Sequence, residues 1–370
     1  YLVLSFLLTG FYFPLIAHWV WNGSGFLGAE GFIDFAGGLC VHGVGGVVAL
    51  YGAWYSGGRH GRFTTVSNGR IDGLRVTRGV KEMPADAPGM QALGTLMLYC
   101  SWFSFNAVSA GGADADSLKT SYRAVINTLM GSAASGTAGL MYLKMSSGYY
   151  DLSGTLNALL AGLVAITPNC AYTDIWGAVL IGATGSAIFF FVEGLVLYKF
   201  RIDDPLSASA LHGATGIYGT ICVGVFHRTE GLVVGETKLF IVQCWGTALI
   251  VAVTALFAQI FFFICHRVGG GSISVPIEDQ ILGLDFKYHD GHIIDDLSAA
   301  KVSTFNQQRT AMKKKIAQKV ASNPSQVSPY QKLSEPSVVV VPDGPSEVGV
   351  QSEVPSSNED KDHLYKKDIM

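Results

Sequence analysis

Polar residues along the first 270 positions are spaced so as to leave eight long apolar runs. Tyr1 to Trp21 contains no Asp, Glu, Lys or Arg. Seven more runs follow, at about 35–56, 90–112, 121–144, 152–169, 174–199, 206–227 and 238–266. A helix needs about 20 apolar residues to cross a bilayer, so the pattern predicts eight spanning helices. The fifth run is short, which a span packed inside a bundle tolerates. Small residues recur within the runs, as at Gly43, Gly45 and Gly46, at Gly131, Gly136 and Gly139, and at Gly213, Gly216 and Gly219. They let spanning backbones approach closely. The expected fold is all-α: a polytopic, tightly packed membrane helical bundle with both ends on one side.

Charge sharpens this picture. The chain is only 14% charged, against about 25% for a soluble protein. Its Asp, Glu, Lys and Arg residues divide into 28 before position 271 and 25 after it. A single soluble domain is therefore excluded, and a net charge of -3 without a dense basic face excludes a nucleic-acid binder. The sequence divides into a transmembrane domain over 1–267, a C-terminal segment over 268–322 and a polar tail over 323–370 whose composition predicts disorder. Asp296 is placed to cap a helix over about 297–321. The chain opens inside an apolar run without Met, which suggests that an N-terminal portion is missing.

Lys and Arg set the orientation. Arg59, Arg62, Arg70, Arg75, Arg78, Lys81, Lys144, Lys199, Arg201 and Arg267 fall in one set of connections. The other set holds only Lys119, Arg123, Arg228 and Lys238, together with Glu30, Asp114, Asp116, Asp174, Glu230 and Glu236. The basic set, and with it the C-terminus, is expected to be cytoplasmic. The six cysteines lie in or beside apolar runs with no CxxC pair, and read as reduced packing residues. No sorting signal is present, so the plasma membrane is the default location.

The chemistry is carried by a repeat. Asp34 precedes His42-Gly43 by the spacing D-x7-H-G-x2-G, and Asp204 precedes His212-Gly213 by the same spacing. The first copy runs from outside to inside and the second from inside to outside. Such a pair marks an inverted-topology repeat with its axis in the membrane plane. A lone intramembrane His most simply ties helices together. Two matched in inverted copies point instead to a transport pathway. A metal site would need three or four ligands, and no second repeat-matched Cys, Asp or Glu supplies them.

Asp34 reads as a helix N-cap and as a buried carboxylate that stabilises a nearby cation. Asp203-Asp204-Pro205 reads as a cap with Pro in the first turn. Glu193 is expected to pair with a Lys or Arg. Trp21 suits a membrane-interface belt, and its ring face also suits a cation.

Asp34-Phe35-Ala36-Gly37-Gly38 leading to His42-Gly43, Trp102-Phe103-Ser104-Phe105-Asn106 with Ser109, and Asp203-Asp204-Pro205 leading to His212-Gly213 together resemble the ammonium transporter family, the Amt/Mep/Rh superfamily, in its Amt branch. The resemblance covers residues 1–291 and includes Gly283-Leu284-Asp285 and His289-Asp290-Gly291. It implies an ammonium channel, not an enzyme, without a cofactor or nucleic-acid partner. It further implies a homotrimer in membrane lipid, with one pore per subunit and eleven spans, of which these eight would be the last. Ammonium, ammonia and methylammonium are the implied substrates. Trp21 and Ser109 would form the outer recruitment site and Phe105 one of two gate phenylalanines. His42 and His212 would be the twin pore histidines, Asp34 the structural and cation-stabilising aspartate, and Gly283 the tail glycine that couples subunits. The second gate Phe is absent, and Ser207 stands where many members carry an acid. A sensor that binds ammonium and signals through the tail is the alternative.

Overall fold

The computed structural model describes residues 1–85, 87–282 and 284. Its long helices fall on the eight apolar runs: α1 (residues 2–21), α3 (Gly38–Ser56), α4 (Pro88–Val108), α5 (Ala115–Ser147), α6 (Leu152–Ile166), α7 (Ile175–Lys199), α8 (Ser209–Phe226) and α9 (Lys238–Val268). A short helix α2 (Phe26–Ala29) follows α1, and α10 (Ile277–Leu282) closes the described part. Among the described residues, five stretches could cross a membrane by length and composition: Leu2–Ala29, which contains α1 and α2, and helices α3, α7, α8 and α9. Helices α4 and α5 are long enough but less apolar than these five.

Packing explains the short fifth span. From Ala161 to Ile166 helix α6 is buried on every side, and the turn after it stays buried through Thr173. A buried turn must satisfy its backbone internally. Asn127 of α5 does so, its amide donating to the carbonyls of Cys170 and Thr173 at 2.8 Å each. Close backbone contact draws α5 and α7 together: a Cβ on Gly182 would fall 1.9 Å from the Gly131 carbonyl oxygen. On the other side Tyr12, Ile16 and Val20 of α1 recur at helical spacing and pack against Val242 and Ile250 of α9. The Tyr12 and Thr254 hydroxyls share a 2.6 Å hydrogen bond.

One departure from the all-helical expectation lies in the basic connection between α3 and α4. There β1 (Asn68–Ile71), β2 (Leu74–Thr77) and β3 (Val80–Lys81) form an antiparallel meander. Its two turns are two residues long, Asp72-Gly73 and Arg78-Gly79, with φ of 50°, 76°, 52° and 72° in that order. Positive φ at both central residues is the turn whose twist matches paired strands. The Asp-Gly and Arg-Gly steps, flanked by Ile71, Leu74, Val76 and Val80, are a hairpin signal that the all-helical expectation left unread. Arg201 lies over the Phe63 ring at 4.6 Å and reaches the carbonyls of Arg78 and Gly79, which docks the meander on the basic end of the bundle.

The segment after α9 returns to the same end. Ser274 donates its hydroxyl to the Ser56 carbonyl, and the His60 N–H donates to Gln280 at 2.8 Å. Gly283, the expected helix over 297–321 and the tail over 323–370 lie outside the described residues.

Candidate functional site

Each copy of the repeat begins with one wide helical turn, Gly38–Gly43 in α3 and Ser209–Ala214 in α8. Turns of this i→i+5 kind are rare and cluster at functional sites. Each carries its histidine. The two helices cross where they have no side chains. A Cβ on Gly46 would lie 2.0 Å from the Gly213 nitrogen, and one on Gly216 would lie 3.0 Å from the Gly43 nitrogen. Gly43 and Gly213 are repeat-matched, as are Gly46 and Gly216. Each first-copy position thus meets the opposite position of the second, as a twofold relation requires.

The crossing brings the imidazoles face to face. The His42 and His212 rings stack at 5.2 Å between centroids with planes 16° apart. Trp102 of α4 also stacks on His42, at 4.8 Å between centroids with planes 16° apart. Its indole N–H donates to Thr167 at 2.9 Å, which fixes the ring. Phe105, one turn further along α4, lies 5.8 Å from His42 and 5.7 Å from Trp102. His42 Nε2 and His212 Nδ1 are buried and have no hydrogen-bond partner among the described residues. A ring nitrogen that the protein leaves unpaired keeps its capacity to donate or accept.

Asp34 shapes the first copy. One carboxylate oxygen accepts from the N–H groups of Gly37 (3.1 Å) and Gly38 (2.7 Å), the other from Leu39 and Cys40 (2.9 Å each). These are the donors that a helix N-terminus leaves open. Its backbone carbonyl accepts from the Trp21 indole at 2.7 Å, so the tryptophan is tied to the segment that starts the histidine helix. That segment is anchored from behind by buried Gln243, whose amide exchanges hydrogen bonds with Ile33 at 2.8 and 2.7 Å. Trp21 is 44% exposed and Phe105 41%. Ser109, at the end of α4, turns its hydroxyl back on the Phe105 carbonyl at 3.0 Å. Of the sequence candidates, His42, His212 and Phe105 therefore meet directly. Trp21 joins through Asp34, and Ser109 through its own helix.

At the basic end the second copy differs from its expected cap. Asp204 accepts from the Ser209 N–H at 2.7 Å, but the helix starts after Pro205, not with it. Asp203 is no cap: its buried carboxylate receives the Arg59 backbone N–H at 2.9 Å and the Arg59 guanidinium at 2.7 and 2.8 Å. Arg62 stands 3.3 Å from its other oxygen. Burial raises the Asp203 pKa, but the Arg59 hydrogen bonds and the two guanidinium charges outweigh it and hold the carboxyl below its usual range. Glu193 is corrected too. Its oxygen accepts from the Ser207 hydroxyl at 2.5 Å, and it belongs to none of the ion pairs among the described residues. A carboxylate one helix away from many basic residues suggested a salt bridge; a nearer hydroxyl took it instead. Trp102 is the residue that sequence reasoning passed over as a site member. Its position one turn before Phe105 was the available signal.

These features define a polytopic membrane bundle with ionisable rings stacked at the crossing of an inverted repeat. The model of the Ammonium Transporter Family matches residues 1–293, and the chain belongs to that family. It is 31% identical over 330 residues to ammonium transporter 1 member 3 of Solanum lycopersicum, covering 80% of this chain and 68% of the relative. It is 32% identical over 294 residues to the ammonium transporter of Aquifex aeolicus, covering 78% and 63%. Among solved structures it resembles a sensor Amt protein, with a TM-score of 0.66, 27% identity and coverage of 76% and 67%. Candida albicans Mep2 matches with a TM-score of 0.64, 25% identity and coverage of 75% and 60%. The chain thus spans roughly two thirds of the length of these relatives.

Proposed function

We propose that this protein carries ammonium across the plasma membrane, as a homotrimer with one pore per subunit and its basic end and C-terminus in the cytoplasm. The observation that carries the reading is the His42–His212 stack, held between inverted wide turns, with one buried nitrogen on each ring that has no hydrogen-bond partner among the described residues. Family membership supports ammonium as the substrate, with methylammonium sharing its chemistry. The tail glycine, Gly283, is assigned to coupling between subunits.

An ion entering hydrocarbon as a bare charge faces a cost of several kcal/mol. Ammonium can avoid that cost because it can shed a proton. The cation is held outside by the Trp21 ring and the Ser109 hydroxyl, near the Asp34 carboxylate. It passes Phe105 and gives up its proton. Neutral ammonia then moves beside His42 and His212. The proton either follows along the imidazoles, each both donor and acceptor, or returns outward. Sodium and potassium have no proton to lose and are rejected.

The test is membrane current in cells bearing the full-length polypeptide, with ammonium added against sodium and potassium. A saturable, ammonium-specific current is expected. His42→Ala with His212→Ala should lower flux by about tenfold or admit other cations, since positioned proton carriers contribute at least that much. Unchanged flux and selectivity would refute the relay. The named likeness to a sensor Amt protein favours one second reading: binding that rearranges the tail without flux. Uptake of labelled methylammonium in the absence of any partner decides between them.

A further inference from the structure

At the basic end lies a cavity that the mechanism above leaves unused. It has a volume of about 1150 Å³ and is lined by Glu193, Ser207, Ser209 and Asp204, among others. Three observations single out its chemistry. First, Glu193 is held by Ser207 through one oxygen only, at 2.5 Å. Second, Ser207 has φ of 51°, the left-handed region that a serine occupies at a cost. Its backbone is pinned there by the Asp204 carbonyl at 3.1 Å and the Leu211 N–H at 2.8 Å. Gly would fit that backbone more cheaply, so the hydroxyl has a use. Third, Ser209 is 6% exposed, lines the same cavity and has a buried hydroxyl with no hydrogen-bond partner among the described residues. It stands three residues before His212, on the same wide turn.

We propose that Glu193, oriented by Ser207, is the inner-mouth acid that returns a proton to ammonia leaving the pore. The reading rests on the transport function above. Ammonia passing His212 meets the Ser209 hydroxyl and then the Glu193 carboxyl. The carboxyl O–H breaks, an N–H bond forms on ammonia, and the products are ammonium and the Glu193 carboxylate. The ion pair separates as water in the cavity hydrates the cation, and Glu193 regains its proton from cytoplasmic water. The charges acting on Glu193 are Asp204 before α8, Asp151 before α6 and Arg62 from the connection after α3. The two carboxylates favour a cation at this mouth, whereas the Arg62 charge opposes one. Glu193 is a positioning and proton-transfer group for transport and plays no part in holding the twin histidines.

The experiment uses the full-length polypeptide in proteoliposomes, with ammonium uptake measured while the pH of the cytoplasmic side is varied. Glu193→Gln should lower maximal uptake by about tenfold and flatten its dependence on inner pH, leaving the concentration for half-maximal uptake unchanged. Glu193→Asp should restore part of both. Ser207→Gly relieves the backbone, so it should unfold no more easily than the parent while uptake falls about threefold. If Glu193→Gln does not assemble, Ser207→Gly alone decides. Glu193→Gln with parental uptake and parental pH dependence overturns the proposal and leaves transport standing. A loss of stability with an unchanged pH profile also overturns it, since that is a structural role. Absence of ammonium uptake by the parent protein would instead overturn the transport reading itself.

Discussion

Asp34 and Asp204 stand at matched positions, eight residues before His42 and His212, yet they hold their turns differently. Asp34 gives both oxygens to four consecutive N–H groups within its own segment. Asp204 gives one oxygen to one N–H, and its neighbour Asp203 ties the same segment to Arg59 and Arg62 some 140 residues earlier. The first turn is therefore fixed by local chemistry that forms with the helix. The second depends on a connection from elsewhere in the chain. The same sequence pattern thus gives one histidine support capped within its own segment and one that answers to the basic-end loops. The rings differ in step with this. His42 lies between Trp102 and His212, while the segment before His212 faces the cavity that holds Ser207, Ser209 and Glu193.

The largest break in this comparison should come from the caps. Asp34→Ala leaves four buried N–H groups without acceptors, each worth about 1–3 kcal/mol. Discounting for relaxation, the expected loss is roughly 3 kcal/mol or more. Asp204→Ala removes a single cap bond and should cost about 1 kcal/mol. Thermal unfolding in detergent compares them directly, and equal losses would erase the distinction between the two copies.

The glycine crossing tests what the copies share. A Cβ at position 46 would meet backbone of α8, which has no flexible end to move aside. Gly46→Ala should cost about 2 kcal/mol or more by overpacking, and Gly216→Ala should do the same, because its Cβ would sit 2.2 Å from the Gly38 carbonyl. Gly45→Ala faces open space and should change stability by less than about 0.5 kcal/mol. A tolerant Gly216 would mean that the crossing is not symmetric.

The caps and the crossing also show how far the sequence could be read. The spans were legible because a bilayer demands long apolar runs, and the inverted repeat because spacing survives in sequence. The wide turns at Gly38–Gly43 and Ser209–Ala214 were not, since no residue type requires an i→i+5 turn; tertiary contact imposes it. The meander was announced by Asp72-Gly73 and Arg78-Gly79, but a polar loop between spans hides a pattern only four residues deep. Trp102 looked like one more apolar helix residue until its distance to His42 was known. Glu193 and Asp203 were misassigned because sequence shows which charges exist and not which partner is nearer. Here the partners were Ser207, just before α8, and Arg59 and Arg62, just after α3.

Asp203 offers a smaller break, and one with a pH signature. Arg59→Ala removes two of the three Arg59 bonds to the carboxylate, while the backbone N–H and Arg62 remain. The Arg59 side chain is 41% exposed, so solvent screening limits the loss to about 1 kcal/mol. The Asp203 carboxyl is held below its usual range, so its contribution is complete above the ordinary carboxylate pKa of about 3.9 and disappears as pH falls through the depressed value. In Arg59→Ala the acid limb of the stability curve should move toward higher pH. An unmoved limb would show that Arg62 alone suffices and that the long-range tie is weaker than its geometry.

The smallest effect separates a structural histidine from the stacked pair His42 and His212. His227, just past α8 at the acidic end, stacks on Tyr172 at 5.1 Å as His42 and His212 stack on each other. Unlike His212, its Nδ1 is occupied, accepting from the Glu230 N–H at 3.1 Å and the Thr229 N–H at 3.4 Å. That fixes the neutral ring with its proton on Nε2. Burial lowers the His227 pKa; Glu230 offsets part of this and Arg228 adds to it. The neutral ring therefore supports the 228–236 loop fully above the ordinary histidine pKa of about 6.5, and that support is lost as pH falls through the lowered value. The stake is two weak bonds, well under about 1 kcal/mol. His227→Asn keeps a side-chain acceptor and cannot titrate, so proteolysis of the loop should quicken on mild acidification in the parent and stay flat in the variant. Ammonium transport at neutral pH should be unaffected by that substitution. If transport fell with it, the division between a histidine whose nitrogens are spent on the fold and a pair whose nitrogens are left free would be wrong.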